Sequence, residues 1–85
     1  MFKVLWDKHS VNDLKKIDYT DAKKIIQKVE DHLAKAPEKL GKPLSAEYKG
    51  LYRYRYRNYR IIYQLFKEEI TITIVKVGHR SSVYD

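Results

Sequence analysis

Apolar and polar positions along the chain recur with two different periods, which separate helices from strands. The apolar run at residues 2–6 predicts a well-buried first strand. Ser10 is a typical N-cap residue, and Asp13 follows it at the spacing of a capping box. We therefore predict a short helix at residues 11–16. The chain begins with a strand and then a helix.

A second and longer helix is predicted to start around residues 19–21, with Thr20 as its N-cap and Pro37 as its end. Apolar residues recur along it at helical spacing, while its other face is rich in lysine, as in an amphipathic helix that lies on a core. The apolar positions are Ala22, Ile25, Ile26, Val29 and Leu33. Residues 38–49 contain glycine and proline and predict a connecting loop with one short turn of helix.

Three strands follow the loop, and a polar tail follows the strands at residues 78–85. The predicted strands are residues 51–56, 59–66 and 70–77. The order strand, helix, helix, strand, strand, strand predicts a single α+β domain over residues 1–85. Its two helices pack on one face of a mainly antiparallel four-stranded sheet, and the other face is basic and open.

Residues 51–60 read LYRYRYRNYR, so arginine and tyrosine alternate with the period of two that a half-buried strand requires. We predict Arg57 and Asn58 as the two central residues of a tight hairpin turn, because Asn58 tolerates the positive φ that such a turn requires. The turn predicts a register for the first two strands after the loop. Its opposite pairs are Tyr56 with Tyr59, Arg55 with Arg60, Arg53 with Ile62, and Tyr52 with Tyr63.

This register predicts two chemically different faces for the hairpin. Arg53, Arg55 and Arg60 share the open face, where their repulsion is a cost that a polyanionic ligand would relieve. The alternative interpretation is an arginine-rich face that is merely solvated. The face towards the helices comprises Tyr52, Tyr54, Tyr56, Tyr59, Ile61, Tyr63 and Leu65. The last strand can follow a two-residue or a three-residue loop at residues 67–69. One choice places Lys76 on the open face and the other places it towards the core.

Composition narrows the range of partners and of chemistry. The formal net charge of +7 favours an acidic partner, which is either a nucleic acid or an acidic protein. The absence of cysteine excludes disulfides, a thiolate zinc site and a cysteine nucleophile. His9, His32 and His79 lie in different predicted elements, so no metal site is expected. No signal peptide or membrane span is visible, and we expect a soluble protein of the cytoplasm.

Arg80, His79 and Tyr84 follow the last strand and can supplement the arginines of the sheet. Such a set can bind RNA through its phosphates and stack a base on Tyr84. It can also cleave RNA without a metal, by attack of the ribose 2′-OH on the adjacent phosphate. Arginine stabilises the developing charge but keeps its proton, so it is a poor general base. His79 is either structural or a proton-transfer group.

The stretches GLYRYRYRNYRIIYQL and ITITIVKVGHRSSVYD, with PLSAEYKGL upstream, resemble the RelE family of bacterial and archaeal toxins. The similarity covers nearly the whole chain. It implies the toxin of a type II toxin-antitoxin pair, with a RelE-like domain over residues 1–85 that cleaves mRNA in the ribosomal A site without a cofactor. It also implies inhibition by an acidic RelB-like antitoxin in a hetero-oligomeric complex.

Matched motif by motif, the resemblance implies a set of catalytic residues. They are Arg53, Arg55, Arg60, Arg80 and Tyr84. Arg60 takes the phosphate-stabilising position, Arg80 the position of general acid or charge stabiliser, and Tyr84 the stacking position. The best studied family pattern has lysines where this chain has Arg53 and Arg55, so the general base is left open. Either the reaction relies on transition-state electrostatics with little proton transfer by the protein, or His79 or Tyr84 supplies a proton-transfer group. Further expected contacts to RNA phosphates are Lys49, Arg57 and Lys76.

Two other functions stay open at this point. Toxins with the same fold include gyrase-directed members, so the chain could bind a protein target such as DNA gyrase without cleaving RNA. It could also be an RNA-binding module with no activity. A gyrase binder does not need Arg53, Arg55, Arg60 and Arg80 in one cluster, which favours the RNA-directed interpretation.

Overall fold

The computed structural model describes residues 1–45 and 50–79. Over these residues one strand is followed by a run of helices, and the remaining four strands then follow one another. The elements are β1 (Lys3–Trp6), α1 (Lys8–Lys15), α2 (Tyr19–Asp31), a 3₁₀ turn (Leu33–Lys35), α3 (Pro37–Leu40), β2 (Lys42–Pro43), β3 (Leu51–Tyr56), β4 (Tyr59–Phe66) and β5 (Thr71–His79). None of the helices in these two ranges is long and apolar enough to cross a membrane.

The strands form one mixed sheet in the order β1-β5-β4-β3-β2. β1 runs parallel to β5, and the other neighbours are antiparallel. The α+β class and the packing of helices on one face are confirmed, but the described sheet has five strands where four were expected. The additional strand, β2, lies inside the predicted loop. Its two residues are too short to show a period in sequence.

The core lies between α2 and the helix-facing side of the sheet. Its fully buried members include Ile25, Val29 and Leu33 from the helical side and Ile61, Tyr63, Ile72 and Ile74 from the sheet. The predicted apolar face of the second helix therefore does pack on the tyrosine-rich side of the hairpin. The Tyr63 hydroxyl donates a hydrogen bond of 2.6 Å to the carbonyl oxygen of Pro37, so the buried phenol has a partner.

Both predicted N-caps are wrong. α1 begins after Asp7, whose carboxylate accepts a hydrogen bond from the backbone N–H of Ser10, while Ser10 itself is fully buried within the helix. α2 begins after Asp18, whose carboxylate accepts from the backbone N–H groups of Thr20 and Asp21. Each true cap is an aspartate two or three residues before the predicted one. Aspartate, serine and threonine are all favoured N-cap residues. Where several of them lie close together, the packing of the helix decides which one is the cap.

The predicted end of the long helix and the predicted burial of the first strand are also wrong. α2 ends at Asp31, and Pro37 begins α3 rather than ending the long helix, because the missing N–H of a proline costs nothing at the first helical position. β1 is not well buried: it lies at the edge of the sheet, and Leu5 is 44% exposed. An apolar run alone cannot distinguish a central strand from an edge strand.

The predicted register of the β3–β4 hairpin is confirmed, with all four predicted pairs present. The register of β5 shifts along its length: Ile74 lies opposite Tyr63, but Lys76 lies opposite Ile62, which leaves Val75 as the extra residue of a β-bulge. The bulge changes which face each residue occupies. Ile72, Ile74 and Val77 are consequently all buried, while Lys76 shares the face of Ile62.

Candidate functional site

Directly opposite residues of paired strands share a face of the sheet. Two rows of such residues cross the face that lies away from the helices. The first row is Lys42, Arg53, Ile62 and Lys76, and the second is Arg55, Arg60 and Gly78. We call the charged members of these rows the cationic face. They are Lys42, Arg53, Arg55, Arg60 and Lys76. The rows contain no acidic residue.

The cationic face combines exposed charges with a buried support. Arg55, Lys42 and Lys76 are exposed, Arg53 and Arg60 are half-buried, and Ile62 between them is only 5% exposed. A shallow cavity of about 170 Å³ lies at one side, lined by Lys42, Arg53 and Arg55 among others. Guanidinium groups on a rigid sheet match the geometry of phosphate oxygens. The arrangement can therefore hold a phosphate and stabilise negative charge that develops on it.

Lys42 belongs to this face, although it is not among the site residues predicted from the sequence. It lies in β2, and its position follows from a close contact of the preceding residue: a Cβ at Gly41 would overlap the hydroxyl of Tyr63. The backbone N–H of Leu44 also donates to the carbonyl oxygen of Leu51 at 2.9 Å. The signal that could have found Lys42 is the Gly-Lys-Pro sequence before the hairpin, where a glycine permits close backbone approach.

His79 lies on the opposite side of the sheet from the cationic face. It is paired with Tyr59, and the centroids of the two rings are 4.8 Å apart. The Tyr59 hydroxyl donates a hydrogen bond of 2.8 Å to Asp21 at the start of α2. This hydrogen bond, together with burial, raises the pKa of Tyr59 above its ordinary value. The structure thus groups His79 with the helices and not with Arg53, Arg55 and Arg60.

Arg57 lies at the tip of the hairpin with a positive φ of 54°, so the positive φ expected of Asn58 is found at Arg57. Its guanidinium carbon is 5.5 Å from the ring centroid of Tyr56, and it lines a cleft of about 390 Å³ together with Lys24 and Lys28 of α2. The structure therefore places Arg57 beside the helical side of the tip. Lys49, Arg80 and Tyr84 lie outside the described residues.

Comparison with known proteins identifies the family to which the chain is similar. The family model described as "ParE toxin of type II toxin-antitoxin system, parDE" matches residues 4–84. The toxin RelG of Mycobacterium tuberculosis is 36% identical over 52 residues, which are 61% of this chain and 60% of that toxin. The chain thus matches less than two thirds of the length of that relative.

Solved structures agree with this result. The toxin-antitoxin complex RelBE2 from Mycobacterium tuberculosis matches with a TM-score of 0.88 and 28% identity, covering 93% of this chain and 98% of that chain. The isolated RelE toxin of E. coli matches with a TM-score of 0.76 at 18% identity, covering 93% of this chain and 84% of that one. The second match shows the fold alone. From the family match over residues 4–84 and these structures, the chain belongs to the RelE/ParE superfamily of toxins from type II toxin-antitoxin systems.

Proposed function

We propose that this toxin is an endoribonuclease that cleaves mRNA in the ribosomal A site and so inhibits translation. The observation that carries the proposal is the cationic face, on which Arg53, Arg55 and Arg60 lie on adjacent positions of two paired strands. Three guanidinium groups of one sign, with no acidic residue in either row, favour a polyanionic ligand. A strongly cationic sheet also suits the phosphate backbone of a single RNA strand.

The proposed reaction is attack of the ribose 2′-OH on the adjacent phosphate, with departure of the 5′-oxygen of the next nucleotide. Negative charge accumulates on the phosphoryl oxygens as the new bond forms. Arg53, Arg55 and Arg60 would stabilise this charge because the paired strands β3 and β4 place all three on one face before the reaction begins. A bound phosphate would also relieve the repulsion between Arg55 and Arg60, which lie directly opposite each other.

Arg80 and Tyr84 keep the roles that the family resemblance implies for them. Arg80 would stabilise charge or act as the general acid, and Tyr84 would stack on a base. Lys49 is proposed as a further contact to phosphate, and Arg57 would meet RNA only where the strand reaches the tip of the hairpin. His79 would act in proton transfer only if the bound state brings its ring to the other side of the sheet.

The proposed inhibitor is an acidic antitoxin similar to RelB. The relative with the TM-score of 0.88 was solved as a toxin-antitoxin complex. An acidic segment would be attracted to a chain with a net charge of +7 and would neutralise the cationic face. The inhibited form of this toxin would then be a hetero-oligomer in which the RNA-binding surface is covered.

The proposal is tested with purified toxin, programmed ribosomes and primer extension on the mRNA. We expect cuts in the A site with the wild-type protein and their loss with Arg60→Ala or Arg80→Ala variants that retain their folded circular dichroism spectrum. Lys39→Ala, an exposed change on α3, is the matched control and should cleave normally. Intact mRNA in the presence of folded wild-type toxin would refute the proposal. A gyrase supercoiling assay on the same preparation then tests the protein-directed alternative.

A further inference from the structure

The first row of the cationic face has a lysine at each end. Lys42 in β2 and Lys76 in β5 flank Arg53 and Ile62, and both lysines are exposed. The remaining cations of the two rows are arginines, which stay protonated at any ordinary pH. A lysine can exist as an amine or as an ammonium group and can therefore accept or donate a proton. Within the two rows, proton exchange is limited to Lys42 and Lys76.

The separation of these lysines suits an in-line reaction at phosphorus. Adjacent strands are about 4.8 Å apart, so three strand steps place the two backbones roughly 14 Å from each other. The entering 2′-oxygen and the departing 5′-oxygen lie on opposite sides of the phosphorus atom in such a displacement. A phosphate held above Arg53, beside Arg55 and Arg60, would have one flexible lysine on each side.

Two separate features of the fold bring the lysines onto this face. Without the bulge at Val75, strand alternation would give Lys76 the same side as Ile72 and Ile74, which are buried in the core. The position of Lys42 on this face depends on the pairing of β2 with the sheet. β2 can approach because Gly41 has no side chain to collide with Tyr63. Neither feature is required by an arginine hairpin as such.

We propose that Lys42 and Lys76 are the proton-transfer pair of this toxin, an inference that rests on the proposed RNA cleavage. One lysine, as the amine, takes the proton of the 2′-OH while the 2′-oxygen bonds to phosphorus. The other, as the ammonium group, gives a proton to the 5′-oxygen as the bond between phosphorus and that oxygen breaks, so that Arg80 stabilises charge and is not the general acid. The products are a 2′,3′-cyclic phosphate and a free 5′-hydroxyl. The two lysines return to their starting states by exchange with water.

The first test compares arginine and alanine at each position in the ribosome cleavage assay, under single-turnover conditions across pH. Lys42→Arg and Lys76→Arg keep the positive charge but cannot transfer a proton. We expect each arginine variant to be as slow as the alanine variant, by about 10²–10⁴-fold, and to lose one limb of the pH–rate profile. Arginine variants that cleave at the wild-type rate with an unchanged profile would overturn the inference, since the lysines would then act as charges alone.

Lys3→Arg is the matched control. Lys3 is an exposed lysine on the same face of the sheet, opposite Thr71 at the far end of β1, and its variant should retain the wild-type rate and profile. Because Lys42 and Lys76 are exposed, we expect all variants to keep the wild-type melting temperature, and thermal melts measure it.

The second test identifies the proton donor with an mRNA that carries a sulfur in place of the departing 5′-oxygen. A thiolate leaves without being protonated, so cleavage of this substrate should be restored in one of the two arginine variants and stay slow in the other. The restored variant lacks the donor, and the slow one lacks the base. Equal impairment of both variants on the sulfur substrate would contradict the assignment of a lysine donor.

The outcomes separate this inference from the proposed function. If wild-type toxin leaves ribosome-bound mRNA intact, cleavage itself is refuted. If wild-type toxin cleaves and both arginine variants cleave equally well, cleavage stands and the proton-transfer pair is refuted.

Discussion

At the scale of single residues, contacts at Gly41 and Tyr63 determine the position of the cationic edge of the sheet. Tyr63 is fully buried, donates to the Pro37 carbonyl oxygen, and leaves no room for a Cβ at Gly41. Burial raises the pKa of the Tyr63 hydroxyl, so the phenol stays protonated and able to donate. Sequence predicts Tyr63 as a core residue. It does not show that this tyrosine is the reason for the glycine two strands away.

Gly41→Ala should lower the free energy of unfolding by about 1–3 kcal/mol, because the added methyl group must displace Tyr63 or shift β2. Urea denaturation followed by circular dichroism measures the change. In a Tyr63→Phe background the same substitution should cost less, since the hydroxyl that it meets is gone. Equal costs in the two backgrounds would contradict the proposed contact.

The backbone of Arg57 at the hairpin tip is strained, which lowers the free energy of unfolding. Arg57 has a φ of 54°, a region that side chains other than glycine occupy at some expense. Arg57→Gly should therefore raise the free energy of unfolding by about 0.5–1 kcal/mol, as measured by thermal or urea unfolding. Asn58→Gly is the matched control and should give no gain, because Asn58 is not among the residues with positive φ. A destabilised Arg57→Gly variant would mean that the cation–π contact with Tyr56 outweighs the backbone cost.

At the scale of elements, α1 and α2 are each capped by an aspartate that precedes the N-cap residue predicted from the sequence. The Asp18 carboxylate accepts from two backbone N–H groups at the first turn of α2. Asp18→Ala should lower the free energy of unfolding by about 1 kcal/mol, whereas Thr20→Ala should change it by only a few tenths. Chemical denaturation of both variants measures the difference. The reverse order of costs would show that Thr20 is the true cap.

β5 illustrates a different limit at this scale. Its alternating isoleucines predict a strand, and its length is nearly as expected, yet two registers are compatible with the loop before it. Both predicted registers are wrong: residues 67–70 form a four-residue loop, Phe66 lies opposite Thr71, and the bulge at Val75 then places Lys76 opposite Ile62. The backbone N–H of Val77, just after the bulge, donates a hydrogen bond of 2.9 Å to Asp13 of α1, where β1 no longer pairs with β5. This long-range partner of the strand edge has no signature in the local sequence.

At the scale of the whole molecule, three tyrosines link stability to alkaline pH. Burial is the main cause that raises the pKa of Tyr54 and of Tyr63, and the hydrogen bond to Asp21 is the main cause for Tyr59. Their pKa values in the unfolded chain are about 10. The unfolded state therefore releases these protons first, so the contribution to stability is complete below pH 10 and declines as pH rises above it.

The expected result is a fall in the urea midpoint between pH 9 and pH 11, following the ordinary titration of tyrosine near pH 10. A Tyr59→Phe variant should show a shallower fall, because one of the three linked groups is removed. Tyr19→Phe, at a tyrosine that is 75% exposed, is the control and should keep the wild-type slope. A midpoint independent of pH in this range would contradict the linkage.

The sequence by itself determined the α+β class, the register of the β3–β4 hairpin and the shared face of Arg53, Arg55 and Arg60, because these follow from periodicity and from a turn of two residues. It also carried the family resemblance. The tertiary structure decided the position of β1 at an edge, the strand β2, the true helix caps, and the sides occupied by Lys42, Lys76 and His79. Those depend on contacts between residues far apart in the chain, such as Tyr63 with Gly41 and Asp13 with Val77. Local patterns cannot encode such contacts because each element is compatible with several neighbours until the core is assembled.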